Sequence, residues 1–248
     1  MNNNKKINTF DRRTFIRSVG TLGLAAFVPS LYAESKGRVP GLEDLFGTEC
    51  PPLFVGEGPY YPALETLPWG SDLTTVTGKN GVANGQIVYV FGKITTSSCT
   101  PLGNAHVELW QSDRDGRYNH PTAKRFASTD ELDPYFRYFG KVVTQLDGSY
   151  LFKTILPKWY TVFGIKRCAH IHFRISHRGY GVVVSQMMFE GEEDDKIRLE
   201  DPEYIKVPPH VQEKIVVAKQ IPADYPEMAQ NLQMEKNALV CQFDQAFI

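Results

Sequence analysis

From residue 86 onward the chain alternates short runs of β-branched and aromatic residues with turn-forming clusters. Gln86 to Ile94 reads QIVYVFGKI, and Thr100-Pro101-Leu102-Gly103-Asn104 is a turn before Ala105 to Asp113, AHVELWQSD. Ser149 to Ile155, SYLFKTI, has the period of two that sends successive side chains to opposite faces of a strand, and Leu146-Asp147-Gly148 precedes it as a turn. Ala169 to Ser176 and Val182 to Phe189 follow, separated by Arg178-Gly179-Tyr180-Gly181, and Leu239 to Phe247 reads as a last strand. Two short helices are expected, over Pro209 to Lys219 and Pro226 to Asn237, each with proline at its start, where the missing N–H costs nothing. Short strands punctuated by turns, with no alternating long helices, predict an all-β fold. The expected architecture is an antiparallel β-sandwich with long loops and short peripheral helices.

This pattern fades towards the N-terminus. Residues 34–80 are rich in Pro, Gly and acidic residues and lack periodicity, so they read as an extended N-terminal arm on a sandwich domain spanning 81–248. Within the arm, Glu57-Gly58-Pro59-Tyr60-Tyr61-Pro62 is a rigid aromatic turn segment. Residues 1–33 carry a basic start (Lys5, Lys6, Arg12, Arg13, Arg17), then a largely apolar or small stretch from Val19 to Val28 that ends near Ala33. Arg12-Arg13-Thr14-Phe15-Ile16 resembles a twin-arginine export signal, although Leu31 departs from the small-residue cleavage pattern. The sequence thus predicts export, to the periplasm of a bacterium. The apolar run is too short for an ordinary membrane span, so no stable span is expected after cleavage.

Composition narrows the partners. Of 248 residues, 42% are hydrophobic and 22% charged, enough for one sizeable core. Residues 1–33 hold five positive charges and one negative, so their removal takes the formal net charge from −1 to −5. An acidic body without a basic run argues against nucleic acid as partner. The four cysteines have no zinc-type spacing. Cys50 and Cys99 lie in Pro-rich loop contexts and are expected to pair, whereas Cys168 and Cys241 fall in strands and are expected as buried thiols.

Chemistry enters with Arg167-Cys168-Ala169-His170-Ile171-His172-Phe173. On a strand, His170 and His172 point to one face and can reach one ion, while Ile171 and Phe173 point to the other. Alone, two histidines on a strand face are more often packed or exposed residues than ligands. Two tyrosines raise the signal. Asp113-Arg114-Asp115-Gly116-Arg117-Tyr118 turns sharply at Gly116 and delivers Tyr118 from a strand-end loop. Pro157 ends the strand before Tyr160 and sends Trp159 and Tyr160 into a loop. Each tyrosine by itself would read as a packed ring. His120 reads as an exposed loop histidine, with replacement of one ligand as the alternative.

The ordered segments ELWQSDRDGRYNH, GKVVTQLDGSYLFKTILPKWY, RCAHIHF and SQMMFEG resemble the intradiol catechol dioxygenases, above all protocatechuate 3,4-dioxygenase subunits and their exported relatives. The likeness covers roughly residues 50–190. It implies a non-haem Fe(III) held by Tyr118, Tyr160, His170 and His172, with Tyr160 the ligand that leaves when substrate binds. It also implies Arg167 as a positive group over the reacting ring and Gln186 as an active-site glutamine, a structural hydrogen bond being the alternative for the latter. The implied reaction joins a catechol-type ring and O2 to give a cis,cis-muconate-type diacid, with a protocatechuate-like substrate favoured. A homo-oligomer or related-subunit complex is implied as well, and Gly58-Pro59-Tyr60-Tyr61 is expected to line its own pocket or a neighbour's. Lysine stands where glycine is common in the Tyr160 turn, and the interval from Tyr160 to His170 is short, which leaves the substrate open. The rival expectation is an exported β-sandwich that binds a small ligand or partner without catalysis.

Overall fold

The strands run in chain order as β1 (Ile87–Thr96), β2 (His106–Gln111), β3 (Phe139–Val143), β4 (Ser149–Ile155), β5 (Tyr160–Val162), β6 (Ile165–Arg167), β7 (His170–His177), β8 (Gly181–Phe189), β9 (Val216–Val217), β10 (Leu239–Gln242) and β11 (Gln245–Phe247). Short helices α1 (Glu192–Arg198), α2 (Pro202–Ile205), α3 (Pro209–Ile215) and α4 (Pro226–Asn231) lie between β8 and β10. The computed structural model describes residues 50, 52–63, 67–123 and 132–247, all within one unit, Phe46–Ile248. The twin-arginine-type segment, residues 1–33, lies outside the described residues. Among the described residues no helix is long and apolar enough to cross a membrane.

One sheet centres on β1, with β4 antiparallel on one side and β10 and β11 on the other. The second has the order β3-β2-β7-β8-β9, antiparallel except at its β8–β9 edge. Alternation explains the stacking of the two. Val88, Val90 and Ile94 of β1 and Tyr150 and Phe152 of β4 share one core with Val107 and Leu109 of β2 and Ile171, Phe173 and Ile175 of β7. The Phe173 ring lies 6.1 Å from Tyr150 and 5.0 Å from Phe243, so the sheets meet through aromatics. Burying each such side chain contributes about 2 kcal/mol, which makes this core the main source of stability.

The expected sandwich with peripheral helices is present, but its sheets are mixed. β10 and β11 both run parallel to β1. The single strand expected over Leu239 to Phe247 is two strands, interrupted at Phe243 and Asp244. There the Phe243 N–H donates to the Phe91 carbonyl at 2.8 Å, and Asp244 Oδ1 accepts the Lys93 N–H at 2.7 Å. α3 stops at Ile215 because Val216 turns extended (φ −95°, ψ 117°) and enters β9. α4 stops at Asn231, short of the expected Asn237, and the left-handed Gln233 (φ 49°) follows. Unexpected were β3, the β5–β6 ribbon, α1 and α2. Cys50 and Cys99 form a disulfide across a separation of 49 residues, worth about 4 kcal/mol on the chain-entropy model. Cys168 and Cys241 are buried free thiols.

Gly92 lies where β1 meets the break between β10 and β11. A Cβ there would collide with the Phe243 carbonyl oxygen and sit 2.7 Å from its carbon, an acceptor that Tyr150 Oη also uses. Gly92→Ala is therefore expected to cost about 2–3 kcal/mol in urea unfolding, since the colliding group is backbone and cannot rotate away.

Candidate metal centre

Asp113 builds the loop that carries Tyr118. Its fully buried carboxylate accepts the N–H groups of Asp115 (2.9 Å) and Arg117 (3.0 Å) on Oδ1, and the Tyr138 hydroxyl (2.8 Å) and Arg117 Nε (3.2 Å) on Oδ2. Gly116, at φ +81°, then lets a second loop come close: a Cβ there would lie 2.7 Å from the Trp159 oxygen and 3.2 Å from Tyr160 Cβ. The Lys158 N–H donates to the Asp113 carbonyl at 3.2 Å, tying the two tyrosine-bearing segments together. Trp159 is in a loop, as expected, but Tyr160 is not. It opens β5, where it pairs with Arg167 of β6. Tyr60, Trp110, Tyr118, Phe139 and Tyr160 form an aromatic cluster apart from the main core.

β7 supplies the imidazoles. Ile171 and Phe173 face the core, while His170 and His172 face the tyrosines, all four ring residues being buried. The two Nε2 atoms stand 3.0 Å apart. His170 Nδ1 is 2.6 Å from the Cys168 carbonyl, which can only accept, so that nitrogen carries the proton and Nε2 presents its lone pair. His172 Nδ1 has no such partner among the described residues. Its ring stacks on Trp110 instead, with centroids 4.7 Å apart and planes 5° from parallel. Tyr118 and Tyr160 meet edge to face at 5.2 Å, and their rings lie 6.1 Å from His172 and 5.7 Å from His170 respectively.

These residues fit a metal. Buried hydroxyls ordinarily find hydrogen-bond partners, yet among the described residues those of Tyr118 and Tyr160 have only each other, with no bond of normal geometry between them. The Nε2 separation matches two adjacent ligand atoms each about 2.1 Å from one ion. Burial, and then the nearby Arg167 charge, push His170 towards its neutral, ligating form. Burial, and then the His170 charge, do the same for His172. Burial pushes both tyrosines well up, so only a strong positive charge could hold them as phenolates. No group of three or more His, Cys, Asp or Glu among the described residues could hold a metal, because half of this donor set is phenolic.

Arg167 lies beside the donors, buried. Its Nε donates to both oxygens of Asp201 at 3.0 Å, and its Nη2 donates to Gln186 Oε1 at 3.1 Å. Gln186 Nε2 continues to the Gly56 carbonyl at 2.5 Å, so this glutamine makes the structural bond held as its alternative while also touching Arg167. Asp201 went unnoticed in the sequence. It also accepts the Cys168 N–H (2.9 Å) and caps α2 through the Glu203 N–H (2.9 Å). Its one local signal was the Asp-Pro that starts a helix.

The arm packs against this chain's own candidate donors. Tyr60 lies 4.8 Å from Tyr118 and 6.0 Å from Tyr160. His120 flanks Tyr60 at 5.8 Å, with Nδ1 accepting the Thr122 N–H at 3.2 Å. The Tyr61 hydroxyl donates to buried Glu108 at 2.8 Å, where Lys141 (2.9 Å) and Arg174 (3.1 Å) also bind. Burial raises the Glu108 pKa, but these hydrogen bonds and the charges of Lys141 and Arg174 outweigh it, and the net shift is downward.

Fold and site together define a β-sandwich protein with a mixed phenol–imidazole pocket on one sheet face. A family model described as "Dioxygenase" matches residues 56–236, and the chain belongs to the intradiol ring-cleavage dioxygenase family. It is 32% identical over 162 residues to a protocatechuate 3,4-dioxygenase beta chain from Burkholderia cepacia, covering 64% of this chain and 66% of that one. A catechol 1,2-dioxygenase from Candida albicans is 26% identical over 180 residues, covering 67% of this chain and 52% of that one. The chain thus spans between about half and two thirds of the length of these relatives. Among solved structures, catechol 1,2-dioxygenase from Acinetobacter sp. ADP1 shares the fold at a TM-score of 0.61 and 21% identity, covering 95% of this chain and 81% of that one.

The relatives also correct the expectation of a periplasmic protein exported by the twin-arginine route. The protocatechuate and catechol dioxygenases that the chain matches are characteristically cytoplasmic catabolic enzymes. The expectation rested on residues 1–33 alone, a basic start and a short apolar run whose cleavage pattern Leu31 already broke.

Two outcomes follow from this site's supports. Asp113→Ala leaves the Tyr138 hydroxyl and the Arg117 guanidinium without their shared acceptor, and is expected to cost about 3 kcal/mol in urea unfolding. For Glu108 the folded carboxyl titrates below its usual 4.5, so its contribution is complete above that value and is lost as pH falls through the depressed one. Acid unfolding followed by circular dichroism should show a stability drop below pH 4.5 that is smaller in Glu108→Gln.

Proposed function

We propose that this protein is a non-haem Fe(III)-dependent intradiol dioxygenase that opens a catechol-type ring between its two hydroxylated carbons, with both atoms of O2 entering the cis,cis-muconate-type product. The observation that carries the reading is the convergence of two buried phenols and two imidazole Nε2 atoms in one cluster. Tyr118, Tyr160, His170 and His172 would hold the iron. When bound, a ferric ion supplies the Lewis acidity that stabilises phenolates and lets a singlet ring react with triplet O2.

The chain's own residues perform the rest. A catechol that chelates sheds two protons; Tyr160 Oη would accept one and solvent the other, while Tyr118, His170 and His172 would hold the iron throughout. Arg167, next to Tyr160 across the β5–β6 ribbon, offers positive charge to the ring as oxygen attacks it. Asp201 and Gln186 fix that guanidinium on two sides. Tyr60 and Trp110 bring apolar surface that keeps bulk water from the electron-rich ring.

A protocatechuate-like substrate is the favoured choice, supported by the 32% identity to a protocatechuate 3,4-dioxygenase chain. That relative's designation as a beta chain supports an assembly with further subunits. Oxygen uptake and product identification across catechol, protocatechuate and hydroxyquinol test the reading. Iron-loaded protein should show a tyrosinate-to-iron charge-transfer band that shifts on adding the accepted catechol. Tyr118→Phe and His170→Ala should lose the iron and at least about 100-fold of the activity, whereas Tyr160→Phe should keep part of the iron. Normal folding with neither iron nor oxygen uptake would favour a non-catalytic binding protein.

A further inference from the structure

The two imidazoles are supported by different forces. A ligating histidine ordinarily donates its second ring N–H to an acceptor, which fixes both tautomer and ring plane. His170 does this through the Cys168 carbonyl at 2.6 Å. His172 does not: its Nδ1 is buried without a partner among the described residues. What lies against His172 instead is the Trp110 indole, stacked 5° from parallel at 4.7 Å, and Gly58 of the arm, which leaves little room for a side chain between them. A Cβ at Gly58 would lie 3.3 Å from His172 Cε1 and 3.9 Å from Nε2, beside the atom that faces the other donors. Gly58 holds φ +72°, a conformation glycine adopts without strain.

Trp110 in turn lacks a hydrogen bond at Nε1 among the described residues. Its outer support is the edge of Tyr61, at 5.0 Å and 87°, and Tyr61 is held by Glu108. The arm therefore reaches His172 twice, directly through Gly58 and indirectly through the stack of Tyr61 on Trp110. We propose that Trp110 and Gly58 are positioning residues that hold His172 by stacking and close backbone approach in place of a hydrogen bond. The arm is then a clamp on one side of the metal site. This rests on the ferric reading above for its consequence, that seating of the arm sets how fast iron escapes, but not for the packing itself.

The test uses the full chain with Trp110→Phe, Trp110→Leu and Gly58→Ala, and Val88→Ala in the opposite sheet as a control of comparable destabilisation. Loss of iron to a competing chelator should be about tenfold faster in Trp110→Leu and Gly58→Ala, and near the parent rate in Trp110→Phe, which keeps a stacking ring. In metal-free protein labelled with 15N-histidine, Trp110→Leu should broaden the His172 ring signals and leave His170 sharp. Iron loss at the parent rate in Trp110→Leu and Gly58→Ala, or equally fast loss from Val88→Ala, overturns the clamp. If the parent protein takes up no iron, the ferric reading fails, and the histidine signals of metal-free protein decide the clamp alone: an unchanged His172 in Trp110→Leu overturns it.

Discussion

The register that sets Trp110, His172 and Gln186 side by side across β2, β7 and β8 is the constraint from which the site follows. Side chains on a strand alternate, so a slip of one residue in β7 would turn both imidazoles into the hydrophobic core and bring Ile171 and Phe173 out to the tyrosines. Burial on both faces forbids that slip. Phe173 is packed between Tyr150 and Phe243 in the sheet interface, and the opposite face is closed by Trp110 and the arm. The core that stabilises the fold is thus the same object that aims the two Nε2 atoms.

Charge inside this frame is tightly balanced. Arg167 is a buried cation, and such a group persists only with a partner of opposite sign and further hydrogen bonds. Asp201 meets that need with both oxygens, and its remaining capacity binds the Cys168 N–H just before β7 and the Glu203 N–H at the start of α2. One carboxylate therefore joins the arginine, the histidine strand and the helical layer. Glu108 has the same part on the far side of Trp110, where Tyr61, Lys141 and Arg174 converge on it. Asp201 acts on Tyr160 and His170 through its charge as well as through Arg167, and Glu108 acts through Tyr61, which packs on Trp110.

Much of this was legible in the sequence, where local rules and tertiary demands agree. Ser149–Ile155 alternates and is a strand with those bounds. The His-x-His pair required only strand periodicity, and Asp113 to Tyr118 announced its turn through Gly116. What was hidden depended on partners distant in the chain. β3 contains Gly140, a poor strand former, present because Leu73 and the Gly70 carbonyl approach within 2.7 and 2.9 Å of where its Cβ would be. Asp201 meets Arg167 across 34 residues, and neither local context hints at the other. The parallel pairing of β10 and β11 with β1 is likewise a choice of topology that no residue pattern encodes.

The four candidate donors differ in how firmly the fold holds them, and that difference bears on their roles. The histidines stand on β7, hydrogen-bonded to a neighbour on each side. Tyr118 leaves a loop bound at four points by the Asp113 carboxylate. Tyr160 begins a two-stranded ribbon with three residues in each strand, closed by the left-handed pair Phe163 (φ 50°) and Gly164 (φ 77°). Two-stranded ribbons are marginal by themselves, so Tyr160 stands on a less supported element than the two histidines of β7. Should Tyr160 yield its place to substrate, as proposed above, its cross-strand partner Arg167 would stay fixed by Asp201.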